Sequence, residues 1–150
     1  MITFTGSPNV GWGIKKRAGR KKIVLELGGN AGVIVEPDAV IDFAAKKIAF
    51  GAFLYSGQVC ISVQRVFVHA SIFDNFLERL ISETQTFIPG DPLDENVTMG
   101  PMIDLKNAER IESWVNDAVA EGAKILTGGK RENNYYPPPI LTNVNPKLPV

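Results

Sequence analysis

The stretch Lys22-Ile23-Val24-Leu25-Glu26-Leu27 decides the fold. It is short and apolar almost without a break. Strands of that kind are covered on both faces, as in parallel sheets. Toward the N-terminus, Ile2-Thr3-Phe4-Thr5 alternates and reads as a second strand. Between the two lies a helix from Pro8 to about Ala18, with Val10 and Ile14 on one face. Ser7 can cap it, Pro8 suits a first position that needs no amide donor, and Gly19 is a good stop. Gly11 and Gly13 inside it each cost roughly 1 kcal/mol relative to alanine, which points to a close approach of another backbone. Strand, helix and strand within 27 residues make a βαβ unit.

Working toward the C-terminus, Gly28-Gly29-Asn30 ends the unit and Gly32-Val33-Ile34-Val35 resumes as a short strand. Pro37 opens a helix from about Asp38 to Tyr55, apolar over much of its circumference and so expected to be buried. Val63 to His69 reads as a strand. Ser71 caps a helix from Ile72 to Glu83 with a core stripe of Phe73, Phe76, Leu77, Leu80 and Ile81. Pro89-Gly90-Asp91-Pro92 begins a loop that runs to Pro101. Asp104 caps a helix from Leu105 to Glu121, stopped by Gly122. Lys124 to Thr127 is a strand, residues 130–139 an exposed loop, and Ile140 to Val144 a last strand. This alternation predicts an α/β fold.

The chain has 150 residues, about one domain, with 45% hydrophobic residues and a formal net charge of +0. No basic excess points to nucleic acid or an anionic membrane. The run Lys15-Lys16-Arg17 with Arg20-Lys21-Lys22 reads as a solvated helix end whose cations complement the dipole, and no aromatic residues interleave as a nucleic-acid patch would require. No stretch is apolar for the length of a membrane span, and no signal peptide is legible. One cysteine cannot form an internal disulfide, which fits a reducing compartment, so the expected location is cytoplasmic. Neither end closes an element, and the expectation is a segment of a larger protein.

Two residues invite chemistry. Glu26 lies inside an apolar strand. A carboxyl group buried in such a place titrates high and is a candidate general base, whereas one at a strand end simply points to solvent. Cys60, the only cysteine, sits in Ser56-Gly57-Gln58-Val59-Cys60-Ile61 at a helix-to-strand junction. A thiol there can meet a ligand; a lone cysteine elsewhere is more often a small core residue. His69, the only histidine, lies nine residues beyond Cys60 at a strand end, the wrong place for a Cys–His hydrolase or acyl transferase. Asp91, Asp94, Glu95 and Asp104 read as loop and cap residues, so no metal site is expected.

Several stretches together resemble the aldehyde dehydrogenase superfamily. Phe4-Thr5-Gly6-Ser7-Pro8-Asn9-Val10-Gly11 is similar to its coenzyme loop, Leu25-Glu26-Leu27-Gly28-Gly29-Asn30 to its glutamate signature and Gly57-Gln58-Val59-Cys60 to its cysteine signature. Cys60 follows Glu26 by 34 positions, the family's spacing. Gly90-Asp91-Pro92, Met99-Gly100-Pro101-Met102, Gly122-Ala123 with Gly128-Gly129, and Pro139-Ile140-Leu141 follow in the family's order, so the resemblance covers essentially the whole chain.

That resemblance implies a three-layer open sheet with helices on both faces. Residues 1–29 would be the end of the coenzyme-binding domain and 30–150 the first part of the catalytic domain. It implies NAD or NADP as coenzyme, with Gly6, Ser7 and Val10 near the pyrophosphate and Leu27 and Gly28 near the nicotinamide. Cys60 would be the nucleophile and Glu26 the base for hydrolysis; acyl-CoA-forming members generally lack that glutamate. The substrate would be a small-molecule aldehyde, oxidised to the acid through a cysteine thiohemiacetal and thioester. The complete enzyme would be a homodimer or homotetramer. The family's oxyanion asparagine, ribose lysine and second glutamate fall in segments outside these 150 residues. By itself, then, the chain is expected to be catalytically incomplete and prone to associate with itself or a partner.

Overall fold

A computed structural model describes residues 1–150. The βαβ unit forms as read: β1 (Ile2–Gly6), α1 (Pro8–Arg17) and β2 (Ile23–Leu27), with the strands parallel and in register from Ile2 opposite Ile23 to Gly6 opposite Leu27. Helix α1 packs against both strands. Gly11 is its one buried residue, and a Cβ there would lie 2.5 Å from Leu27 Cδ2. Gly11 therefore lets helix and sheet touch. Gly13 has no such reason, since its nearest neighbour is the Arg17 guanidinium, 3.4 Å from an added Cβ.

Pro8 occupies the first turn, and Ser7 sits at the N-cap without a side-chain bond. Lys15, Lys16 and Arg17 fill the last turn, at the negative end of the helix dipole. Only one face of the strand pair is covered. Within these 150 residues Val24 and Glu26 are exposed, where the sequence reading expects cover on both faces. A continuous apolar run fixes the strand but not what lies against its second face.

The second unit comprises β3 (Ala31–Val35), α2 (Ile41–Phe53), β4 (Val63–Val68) and α3 (Phe73–Thr84), with β3 and β4 parallel. Its core joins Val35, Ala45, Ile48, Ala49, Phe76, Leu80 and Ile140. Helix α2 starts later than Asp38 because the Ala39 amide bonds to Glu36 O in a turn after Pro37. The residues before α3 form a short 3₁₀ turn, Ala70–Ile72. His69, not Ser71, caps that turn: its Nδ1 accepts from the Ser71 amide at 3.2 Å. The single histidine thus has a local structural task.

The third unit is α4 (Leu105–Ala120) followed by the antiparallel pair β5 (Lys124–Thr127) and β6 (Ile140–Thr142). Asp104 caps α4 as read, its Oδ1 accepting from the Asn107 amide at 2.7 Å. That bond, with a second from the Asn107 side chain, holds the Asp104 carboxyl below its ordinary range. Residues 130–139 are not simply an exposed loop, because Tyr136 and Pro138 are buried and Tyr136 joins Met102, Ala108 and Val115 in a second small core. Burial first, and the nearby Glu112 carboxylate second, push the Tyr136 phenol up to about 12.

The fold is α/β, as expected. The six strands pair two by two within this chain, not as one continuous sheet. No helix is long and apolar enough to cross a membrane.

Candidate active site

Cys60 lies on the loop between α2 and β4 and is exposed. The chain reaches it through an unusual turn. Tyr55 (φ 51°, ψ 39°), Ser56 (φ 57°, ψ 34°) and Gly57 (φ 70°) are all left-handed. Glycine tolerates this, but for Tyr55 and Ser56 it costs roughly 1–2 kcal/mol each. Such strain persists only where surrounding contacts over-determine it. Here the contacts are visible. Ser56 Oγ donates to Gly100 O at 2.6 Å, and Gln58 Oε1 accepts from the Ile103 amide at 3.0 Å. On the far side of the cysteine, buried Ser62 donates through Oγ to Ala52 O at 2.9 Å, closing the loop onto the end of α2. Sequence reasoning missed Ser56, Ser62 and the role of Gly100 to Ile103. Their only trace was the Ser-Gly pair at a helix end.

A broad open cleft of about 1370 Å³ is lined by Gly6, Glu26, Leu27, Gly28, Gly29 and Cys60, among others. The cysteine loop and the end of β2 meet there. A Cβ on Gly29 would stand 2.7 Å from Cys60 O, so only glycine admits this approach. Glu26 is exposed on β2 within these 150 residues. Cys60 and Glu26 are both among the 44 residues that line this cleft.

Of the five residues read as coenzyme contacts, Gly6, Leu27 and Gly28 line the cleft, with Pro8 beside them. Ser7 and Val10 do not; both are exposed. The first turn of α1 has no acidic residue and no side-chain cap. Its positive end is therefore uncompensated, a suitable place for a diphosphate. At Gly6 a Cβ would come within 2.7 Å of Phe4 Cζ, so the Phe4 ring would have to turn aside for a larger residue. His69 lies outside the cleft lining and is engaged with Ser71. No group of three or more His, Cys, Asp or Glu side chains is placed to hold a metal.

The sequence profile of the aldehyde dehydrogenase family matches residues 1–150. The chain belongs to that family. It is 51% identical over 150 residues to a 3-sulfolactaldehyde dehydrogenase of Priestia megaterium, matching 100% of this chain and 31% of that protein. Among solved structures, it superposes on the glyceraldehyde-3-phosphate dehydrogenase GapN of Methanocaldococcus jannaschii, complexed with NADP, at a TM-score of 0.91 and 45% identity. That match covers 93% of this chain and 31% of the other. An NAD-dependent aldehyde dehydrogenase from Sinorhizobium meliloti gives a TM-score of 0.94 at 37% identity, covering 99% and 31%. The chain thus spans about a third of the length of the relatives it matches.

Proposed function

We propose that this chain is the thiol-bearing part of an NAD(P)⁺-dependent aldehyde dehydrogenase, with residues 1–29 closing a coenzyme-binding domain and residues 30–150 opening a catalytic one. The observation that carries the reading is the convergence of Cys60, Glu26 and the glycine turn at Gly6 on one cleft. Family membership supports it.

The Cys60 thiolate adds to the aldehyde carbon, giving a hemithioacetal whose oxyanion the Cys60 backbone N–H is suited to meet. A bound nicotinamide would supply the hydride acceptor. Gly6, Ser7 and Val10 would lie near the diphosphate and Leu27 and Gly28 near the nicotinamide, and α1 offers its uncompensated N-terminus to the diphosphate. Loss of hydride from the adduct carbon leaves a thioester on Cys60. Glu26, a carboxylate on the same cleft, takes a proton from water, which attacks the thioester carbonyl. The acid leaves and the thiolate is regenerated. A cytoplasmic, reducing setting suits a thiol with no disulfide partner.

The test uses the complete polypeptide and a panel headed by 3-sulfolactaldehyde and glyceraldehyde-3-phosphate, which the names of two relatives suggest. Cys60→Ala is expected to abolish NAD(P)H formation; undiminished activity would sink the mechanism. Glu26→Gln is expected to give a burst of one NAD(P)H per site, then turnover slowed by about 10²–10⁴-fold, the usual range for losing a general base. No burst and full turnover would remove Glu26 from the reaction.

A second reading concerns the 150 residues alone, as a catalytically incomplete unit that associates with itself. Ile34 and Phe67 favour it, being register partners on one strand pair and 71% and 60% exposed.

A further inference from the structure

We propose that Ser56 and Gln58 are positioning residues for Cys60, docking its loop onto the segment Gly100 to Ile103. The inference rests on the reading of Cys60 as the nucleophile. The loop makes a left-handed turn at Tyr55, Ser56 and Gly57, a path that two non-glycine residues do not take unaided. The two hydrogen bonds that reach out of it lead to the same remote segment, more than 40 positions along the chain. Ser56 Oγ gives its proton to Gly100 O, and Gln58 Oε1 receives the Ile103 amide. Gln58 also ties the turn to itself, its backbone amide donating to Tyr55 O at 3.1 Å.

The receiving segment is firmly seated. Met99 and Met102 are buried. The Met102 amide donates to Asn134 O, and the Asn134 side chain donates back to Met102 O. The small core around Met102 and Tyr136 is therefore the anchor, and the two polar side chains transmit its rigidity to the thiol. Released from it, Tyr55 and Ser56 relax toward right-handed geometry. The Cys60 carbonyl then shifts from its seat on Gly29, and the sulfur loses its fixed direction into the cleft.

The test compares Gln58→Met, which keeps side-chain length and loses the acceptor, with Gln58→Glu, which keeps an acceptor oxygen. In the complete enzyme, Gln58→Met is expected to lower kcat about tenfold with KM within about twofold, a change of orientation and not of binding. Hydrogen exchange at the Ile103 amide is expected to quicken in the same variant. Gln58→Glu is expected to restore Ile103 protection and most of kcat at the upper plateau of the pH profile. Full kcat in Gln58→Met with fast Ile103 exchange would overturn the proposal. So would equal loss in both variants.

If the unsubstituted enzyme oxidises no aldehyde, the reaction assignment fails and the clamp is still read directly. Alkylation of Cys60 is followed in the complete polypeptide by mass spectrometry of the peptide that carries it. Gln58→Met is expected to speed alkylation at least about threefold, and an unchanged or slower rate would refute the clamp.

Discussion

At Gly29 the protein tolerates no side chain. A methyl group would stand 2.7 Å from the Cys60 carbonyl oxygen, closer than van der Waals contact allows. Gly29→Ala is therefore expected to push the cysteine loop out of place and to destabilise the chain by about 1–3 kcal/mol, the usual cost of overpacking. Thermal unfolding and Cys60 alkylation measure the two effects. Ser62 gives a complementary case. Its buried hydroxyl satisfies Ala52 O, so Ser62→Ala is expected to cost about 1–3 kcal/mol in urea unfolding.

At this scale the sequence told a good deal through residues whose chemistry is intrinsic. A thiol at a helix-to-strand junction and a carboxylate in an apolar strand are visible in one dimension. Ser56 and Ser62 were not, because their meaning lies in carbonyl groups 44 and 10 positions away. Ser7 was over-read: it occupies the N-cap position but makes no cap bond.

Elements depend on stripes and ends. Phe76 is 1% exposed and ties α3 to α2 and β3. Phe76→Ala is expected to cost about 3–5 kcal/mol, measured by denaturant unfolding. The Asp104 cap contributes through charge. Its carboxyl titrates below the ordinary 3.8, so its contribution is complete above that value and fades as pH falls through the lower folded value. Asp104→Ala is expected to lower the thermal midpoint at neutral pH and to erase this acid-side dependence, while Asp104→Asn keeps part of the cap.

Each strand and helix was legible because period and capping chemistry are local. The boundaries that moved did so where backbone bonds competed. The Glu36–Ala39 turn delays α2, and Leu54, whose ψ of 136° leaves the helical region, ends it just before the left-handed turn. The pairing of β1 with β2 followed from the βαβ pattern, but those of β3 with β4 and β5 with β6 were out of reach, since nothing local records which strand lies beside which.

The 150-residue chain, about a third of the length of its relatives, exposes more surface than its mass calls for. Its accessible area is 10085 Å², against about 7500 Å² for a compact monomer of this size. The excess lies partly on the open faces of the strand pairs, where Val24, Ile34 and Phe67 stand in solvent. The isolated chain is expected to self-associate at micromolar concentration. Replacing Ile34 and Phe67 together by lysine is expected to shift its sedimentation toward monomer. Global stability also has an alkaline edge. The Tyr136 phenol is raised to about 12, so the folded state favours the protonated form. Stability is then intact below the ordinary phenol value near 10 and falls as pH climbs toward about 12. Phenolate absorbance followed beside unfolding checks this, and Tyr136→Phe is expected to flatten the decline.

The turn before Cys60 has a stereochemical consequence. Backbone angles that are costly for L-residues are the natural ones for their mirror images. In a chain assembled by chemical ligation, D-serine at position 56 or D-alanine at position 57 would sit in its own preferred basin. The turn before Cys60 is a place where inverted chirality should fit better than the chirality the ribosome supplies.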